Sequence, residues 1–395
     1  MYLTEKHIIK RTHPFYNECD RLCFQSKNIY NQGLYNVRQH YFNTNTYLNY
    51  YGNYDLTKTQ ECYDYLPKKV FCQTLKHVDM VFKSFFALLK NKTVKNRLPK
   101  YLDKVNGRFI TIFPNQAIGL REFKKTGKLR LSQTDIYIST KLTNFDKLKE
   151  VRVVPRTHHY VIEVVYQVKE KTHCDNGKYA SIDLGLNNLA TVAFNEGSKP
   201  LIVNGRPLKS INQYYNKKKA QYQSRLKGNK RTSKRIYKLT DKRNNKVTDY
   251  LHKASRLLVN QLVSQGITTL VIGKNPNMKQ DINIGKVNNQ NFVQLPIMRF
   301  GDLMKYKCEL EGIKVLFNEE SYTSKCSFLD SEPICKHDKY MGIRVKRGLF
   351  VSRNGIKINA DVNGAYNIMI KAIPNAFADG IEGVGVHPMV LTIKK

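Results

Sequence analysis

Acidic residues far apart in the chain have the types and settings that metal-dependent phosphate chemistry requires. Asp183 stands in "ASIDLGLNNLA", at the end of a short apolar run and just before a glycine turn. A charge there is expensive unless it is paired or metal-bound. Asp361, in "NADVNGAYNIMI", opens a helical pattern, an ordinary place for a capping acid. The small residues Gly364 and Ala365 that follow would let this helix lie close against a sheet carrying Asp183. Glu319 and Glu320 are adjacent, at the end of "IKVLFNEE". Phosphodiester hydrolysis by two divalent ions needs three or four carboxylates converging from different elements, around ions about 3.5–4 Å apart. Two aspartates alone are too few, so a third acid is expected from a strand end between them.

Position eliminates most candidates. Glu196 precedes the turn at Gly197, Asp241 and Asp249 lie in a basic segment, and Asp281 is in the loop "NPNMKQDINIGK". Asp302, Glu309 and Glu311 fall on an intervening helix, and Asp330, Glu332 and Asp338 in a polar excursion. Glu319 and Glu320 remain. Successive strand side chains point to opposite faces, so at most one of the two is a ligand unless the strand bulges; Glu320 is preferred, Glu319 is the alternative, and a solvated strand exit is the non-functional reading.

These acids need a scaffold. "YASIDLGLNNLATVAF" reads as two strands about a tight turn and "PLIVNG" as a third. "ITTLVIG" and "IKVLFNEE" are dense apolar strands of the kind buried on both faces of a mostly parallel sheet, with "LPIMRFGDLMKYKCELEG" helical between them. An α/β layer architecture follows. Upstream, residues 15–99 carry helical periodicity, including a stripe of Val70, Leu75, Val78, Val81, Phe82, Phe85 and Leu88. Residues 100–169 switch to short alternating strands, which suggest a small barrel or sandwich. The polar stretch "KEKTHCDNGK" marks a boundary.

Charge narrows the class. The 395 residues hold 67 Lys and Arg against 31 Asp and Glu, a formal net charge of +36, which points to a polyanionic partner. Between Gly205 and Asp249 there are fifteen Lys or Arg and two Asp, with Tyr214, Tyr215, Tyr222 and Tyr237 interspersed. A helical pair is expected there, with Lys217, Lys218, Lys219, Arg225, Lys242 and Arg243 positioning nucleic-acid backbone and tyrosines available for stacking. No signal-peptide h-region and no apolar run near a membrane span's length is present, so no membrane partner is expected. Eight cysteines without a CxxC pair read as free thiols in a reducing compartment, so a cytoplasmic protein is expected.

The blocks "ASIDLGLNNLATVA", "KKKAQYQSRL" through "KLTDKRNNKVTDYLHKAS", "YTSKCS" and "ADVNGAYNI", in this order, resemble the TnpB (OrfB) transposon-encoded RNA-guided endonucleases, relatives of the type V CRISPR effectors. The resemblance implies a multidomain α+β protein. Its parts would be a C-terminal RNase H-like (RuvC) α/β domain over 173–395, a helical recognition domain over 15–99, and a small wedge-like β-barrel from 1–14 and 100–172. It implies RNA-guided, two-metal cleavage of target DNA with Mg²⁺ (or Mn²⁺). The partners would be a guide RNA transcribed from the transposon end and double-stranded DNA bearing a short flanking motif. The family's Asp, Glu, Asp set falls on Asp183 and Asp361, but its glutamate position, at the end of "TTLVIGKN", is Gly273. Either the site is inactive, giving an RNA-guided DNA-binding protein that acts as a repressor, or Glu320 or Glu319 restores the charge. A transposase that joins strands without RNA is a third possibility. The family's zinc knuckles are degenerate here, since Leu329, Ser352 and Asn354 stand where cysteines are expected. No structural zinc is therefore expected in the insert 322–360, despite Cys326, Cys335 and His337.

Overall fold

The computed structural model describes residues 1–90, 97–274, 296–378 and 380–393. Asp281 lies outside them. The chain divides into two compact units, Met1–Lys169 and Glu170–Lys395.

In the first unit, β1 (Tyr2–Ile9) precedes three helices, α1 (Tyr16–Thr44), α2 (Tyr50–Thr57) and α3 (Lys68–Leu89). There follow β2 (Thr111–Pro114), α4 (Leu120–Thr126), β3 (Lys128–Arg130), β4 (Tyr137–Ser139), β5 (Leu148–Pro155) and β6 (Tyr160–Gln167). The unit's strands form a four-stranded antiparallel sheet, β1-β6-β5-β2, and a two-stranded ribbon of β3 and β4. Leu129 and Ile138 of the ribbon, and Leu22, Val70, Phe71 and Leu75 of α1 and α3, share one buried cluster with Phe113, Val151, Val153 and Val164 of the sheet, so ribbon and helices together cover its apolar face.

The second unit begins with β7 (Tyr179–Leu184), β8 (Asn188–Phe194) and β9 (Leu201–Asn204). The helices α5 (Arg206–Gln223) and α6 (Lys234–Ser264) follow, then β10 (Thr269–Lys274), α7 (Ile297–Leu310) and β11 (Lys314–Glu319). The chain continues through β12 (Ile343–Lys346), β13 (Leu349–Val351), β14 (Lys357–Ile358), α8 (Ala360–Ala372) and β15 (Met389–Leu391). The main sheet runs β11-β10-β7-β8-β9-β15. β8 is antiparallel to both neighbours, whereas β7, β10 and β11 are mutually parallel. This is the RNase H-like arrangement. Ile182, Leu258, Ile272, Phe300 and Met304 bury a core between the sheet and α6 and α7; α8 packs on β7, β8, β10 and β11.

One expectation is corrected. β10 is buried along almost its whole length, but β11 is half-exposed, with Phe317 at 36% exposure, because it is the sheet's edge and β10 is its only neighbour.

Candidate active site

Two glycines let α8 sit against the sheet close enough to assemble a site. A Cβ at Gly364 would lie 3.1 Å from Asp183 Oδ2, so the helix backbone rests directly on the aspartate. The Ser181 hydroxyl donates to the carbonyl of the next residue, Ala365, at 2.6 Å, fixing the helix at the same place. Asn359 caps α8, its side chain accepting from the backbone N–H groups of Asp361 and Val362. The Asp361 carboxylate is therefore not used as a cap and turns to the site.

The second glycine is Gly273. In the parallel ladders, Ile272 faces Ile182 across β7 and Gly273 faces Asn318 across β11. Gly273 and Asp183 each follow a paired isoleucine, so they stand level at the same end of adjacent strands. A Cβ at Gly273 would meet Glu320 Oε2 at 2.7 Å and Ile368 Cδ1 at 2.7 Å, distances that side chains do not tolerate without a shift. The Glu320 carboxylate thus occupies the space into which a side chain at position 273 would project.

Glu319 and Glu320 separate cleanly. Glu319 accepts from Lys371 Nζ of α8 at 2.6 Å, from the Ser321 N–H at 2.7 Å and from the Ser321 hydroxyl. The Lys371 hydrogen bond, with Ser321, brings its pKa down to about 2. Glu320 is raised instead, by burial first and then by the charge of Glu319, with Lys371 opposing. Asp183 is pushed up to about 8, chiefly by burial, then by the negative charges of Asp361 and Glu320; Arg344 opposes this. Asp183 therefore lies within electrostatic reach of both other acids, and Arg344 offsets their repulsion only in part. Among the described residues no three acidic, His or Cys side chains are close enough to form a ligand cluster.

Sequence reasoning missed the cations and the amide around Asp361. Asn188 Nδ2 donates to Asp361 Oδ2 at 2.7 Å, and Arg344 pairs with Asp361 Oδ1 at 3.3 Å. A cavity of about 480 Å³ is lined by Asp183, Asn188, Arg206, Arg344, Arg347 and Asp361, among others. Arginines of this kind recognise phosphate oxygens. Arg344 and Arg347 come from β12 and the turn after it, inside the region set aside as a degenerate zinc ribbon, which is why acid-centred logic passed over them.

That insert has an organiser of its own. Glu332, assigned to a polar excursion, is 5% exposed and accepts from the backbone N–H groups of Ser327 at 2.7 Å and Met341 at 2.9 Å. Asn363 and Asn367 of α8 donate to the Cys326 carbonyl, and Phe328 stacks on Tyr366 at 4.4 Å. Cys326 is buried and its thiol points to the Cys335 carbonyl, while Cys335 Sγ lies 3.4 Å from His337 Nε2.

The predicted basic residues fall on a helix pair. Ser233 caps α6, accepting from the Ile236 N–H at 3.3 Å. Lys217, Arg225 and Lys242 are exposed, Lys218 and Lys219 half-exposed, and none of the five forms an ion pair among the described residues. Lys218 donates to Gln221. Arg243 differs: it is half-buried, donates to Asn212 Oδ1 at 2.7 Å and stands 5.8 Å from the Tyr215 ring, holding α5 to α6.

The chain is similar to known proteins in sequence and in fold. The sequence profile of the IS605 OrfB family, described as a probable transposase, matches residues 159–279, and that of the Cas12f1-like TNB domain matches residues 298–368. A TnpB-like protein, ORF457, of Acidianus two-tailed virus is 28% identical over 211 residues, 50% of this chain and 42% of the relative. The CRISPR-associated endodeoxyribonuclease Cas12f1 of Sulfoacidibacillus thermotolerans is 29% identical over 136 residues, 33% of this chain and 28% of the relative. The matches thus span well under half of these relatives' length. In fold, the chain resembles Cas12f1 in its complex with sgRNA and target DNA, at a TM-score of 0.55 and 15% identity over 90% of this chain and 82% of that one. It also resembles the mini-RNA-guided endonuclease CRISPR-Cas phi3, at 0.54 and 9% identity over 98% and 94%. The class is that of multidomain α+β proteins built on an RNase H-like sheet. In sequence the chain is similar to TnpB-like proteins. No helix among its described residues is long and apolar enough to cross a membrane.

Proposed function

We propose that this protein is an RNA-guided DNA endonuclease whose acids are Asp183, Glu320 and Asp361, with the family's glutamate moved from position 273 to position 320. The observation that supports it is the Glu320 carboxylate standing over Gly273, within electrostatic reach of Asp183. In chemistry the donor set suits a hard divalent cation, because it is all oxygen and because the burial and neighbouring negative charge that push up Asp183 are what such a cation would relieve, although among the described residues the acids do not already form a closed ligand cluster. Mg²⁺ (or Mn²⁺) held by these three acids would supply charge stabilisation for the attacking and departing oxygens. The chain's own residues do the rest. Asn188 orients Asp361, Lys371 withdraws Glu319 from the site, and Arg206, Arg344 and Arg347 bind phosphate oxygens in the cavity beside Asp183. Lys217, Lys218, Lys219, Arg225 and Lys242 hold nucleic-acid backbone.

Guide pairing would provide sequence choice, with the protein reading duplex shape and a short flanking motif. The guide would be transcribed from the transposon end. The domain roles carry over in the same sense, with 15–99 recognising nucleic acid and 173–395 cutting it. Glu332 and the aromatic stack under it support an insert that folds without structural zinc.

The test is cleavage of a matched target by protein co-expressed with its flanking DNA, in Mg²⁺. Asp183→Ala and Glu320→Gln should bind target without cutting, while Glu319→Gln should still cut. A second reading, a guided DNA-binding protein without nuclease activity, is favoured by the Arg344 pairing with Asp361 and by the absence of a closed ligand cluster among the described residues. Wild-type protein that binds its target and never cuts would establish it.

A further inference from the structure

The first unit holds a polar cavity of about 410 Å³ that none of the acids above explains. It lies between α1, the single helical turn Glu61–Asp64 and the stretch from Tyr101 to Lys104. Its size suits one small-molecule moiety rather than a helix.

Lys27 lines it and is only 1% exposed. Its ammonium donates to the Lys104 carbonyl at 2.7 Å and stands 4.0 Å over the Phe24 ring. Among the described residues no carboxylate pairs with it. Asp103, the acid whose charge it feels, already accepts from the backbone N–H groups of Val105 and Asn106. An ammonium has three donors, and a buried one with two unused is costly unless a ligand supplies acceptors.

The other walls are aromatic and amide. Tyr35 and Tyr101 are 51% and 43% exposed, and the Arg38 guanidinium lies 4.8 Å from the Tyr101 ring. Asn28 and Gln60 line the same cavity and make no side-chain hydrogen bonds among the described residues. Glu61 sits on the rim, accepting from the Tyr65 hydroxyl at 2.9 Å. Exposed rings stack bases, amides read base edges, and a carboxylate accepts from an exocyclic amine. A bare anion would use Lys27 and leave the rings and amides idle beside a negative rim.

We propose that this cavity captures one unstacked nucleotide of a single-stranded polynucleotide, its base against Tyr35 and Tyr101 and within reach of Asn28 and Gln60, an acceptor oxygen on Lys27. The inference rests on reading the chain as a nucleic-acid-handling protein, but it makes no use of the carboxylate site.

The experiment uses full-length protein and 12-nucleotide single strands, RNA and DNA in parallel, each with one photoreactive thiopyrimidine. Crosslinked peptides should contain Tyr35, Tyr65 or Tyr101, and the sugar giving the stronger crosslink identifies the source. Gln60→Ala and Tyr101→Ala, both at exposed positions and checked by melting temperature, should each weaken strand binding roughly tenfold at fixed salt. Crosslinks confined to the second unit with unchanged affinities would sink the cavity proposal while leaving nucleic-acid binding intact. Failure of the wild type to bind either strand would remove both. Millimolar inorganic phosphate that abolishes these crosslinks while the alanine variants bind normally would mark an anion site only.

Discussion

Glu320 and a side chain at position 273 compete for one space, and this makes the relocation testable by exchange. Gly273→Glu alone places a Cβ 2.7 Å from Glu320 Oε2 and 2.7 Å from Ile368 Cδ1. Overpacking of this kind costs about 1–3 kcal/mol, and a second carboxylate beside Glu320 adds like-charge repulsion. Glu320→Ala alone removes the proposed ligand. Loss of residues that only support a metal ligand costs 10–100-fold, so the ligand itself should cost on the order of 10²-fold or more in cleavage. The combination Gly273→Glu, Glu320→Ala and Ile368→Val removes both clashing groups and returns an acid to the end of β10. It should recover at least tenfold over Glu320→Ala in Mg²⁺-dependent cleavage of a matched target, with target binding constant throughout. The reasoning fails if Glu320→Ala cuts as wild type does. It fails equally if the triple variant, folded and binding target, gains nothing over the single one while Glu319→Gln is inactive, since the acid would then be Glu319.

Other perturbations read separate parts of the molecule. Asp183 titrates near 8 when folded and near 3.9 when unfolded, so the unfolded state releases the proton first. In metal-free buffer, stability should therefore fall as pH rises from about 4 to about 8, by up to about 1.4 kcal/mol per pH unit; Asp183→Asn should flatten that stretch of a chemical-denaturation profile, and also abolish the Mg²⁺-induced rise in melting temperature. Glu332→Ala strands the buried Ser327 N–H and the part-buried Met341 N–H and should cost about 1–3 kcal/mol, with faster hydrogen exchange at Ser327 and Met341. Replacing Lys217, Lys218 and Lys219 by Ala should lower the slope of log affinity against log salt by about 2. Arg243→Ala should instead lower the melting temperature, because that guanidinium ties α5 to α6 through Asn212.

Composition made the strands of the RNase H-like sheet legible, because β10 buries five of its six residues and β7 four of six, so both read as dense, mostly apolar runs. Asp183 and Asp361 were legible for a related reason: each is a charge at the edge of an apolar element. What covers the apolar face of the first unit's sheet was not legible, since alternation says which face is apolar and not that both α1 and α3 and the β3–β4 ribbon pack on it. The choice between Glu319 and Glu320 also lay beyond the sequence. It turns on Lys371, fifty-odd positions away, whose ammonium reaches Glu319 from α8. Glu332 was misread because a buried carboxylate satisfied by backbone N–H groups has the same local composition as a solvated loop.

The placement of Glu320 also indicates what the proposed relocation would require. β10 and β11 are parallel neighbours in register, Lys274 opposite Glu319, so their ends open on the same side of the sheet, where strand carboxyl ends conventionally meet ligands. One residue past β11 is near enough for a glutamate to reach back over β10, on condition that position 273 is empty. Only glycine leaves it empty, because even alanine would meet Glu320 and Ile368. The neighbouring Glu319 must also be held away, or its charge would add a further repulsion beside Asp183; Lys371 holds it at 2.6 Å. Gly273, Glu320 and Lys371 therefore form one interdependent set, in which changing any single member should cost more than the same change would in a chain that keeps its glutamate at the end of β10.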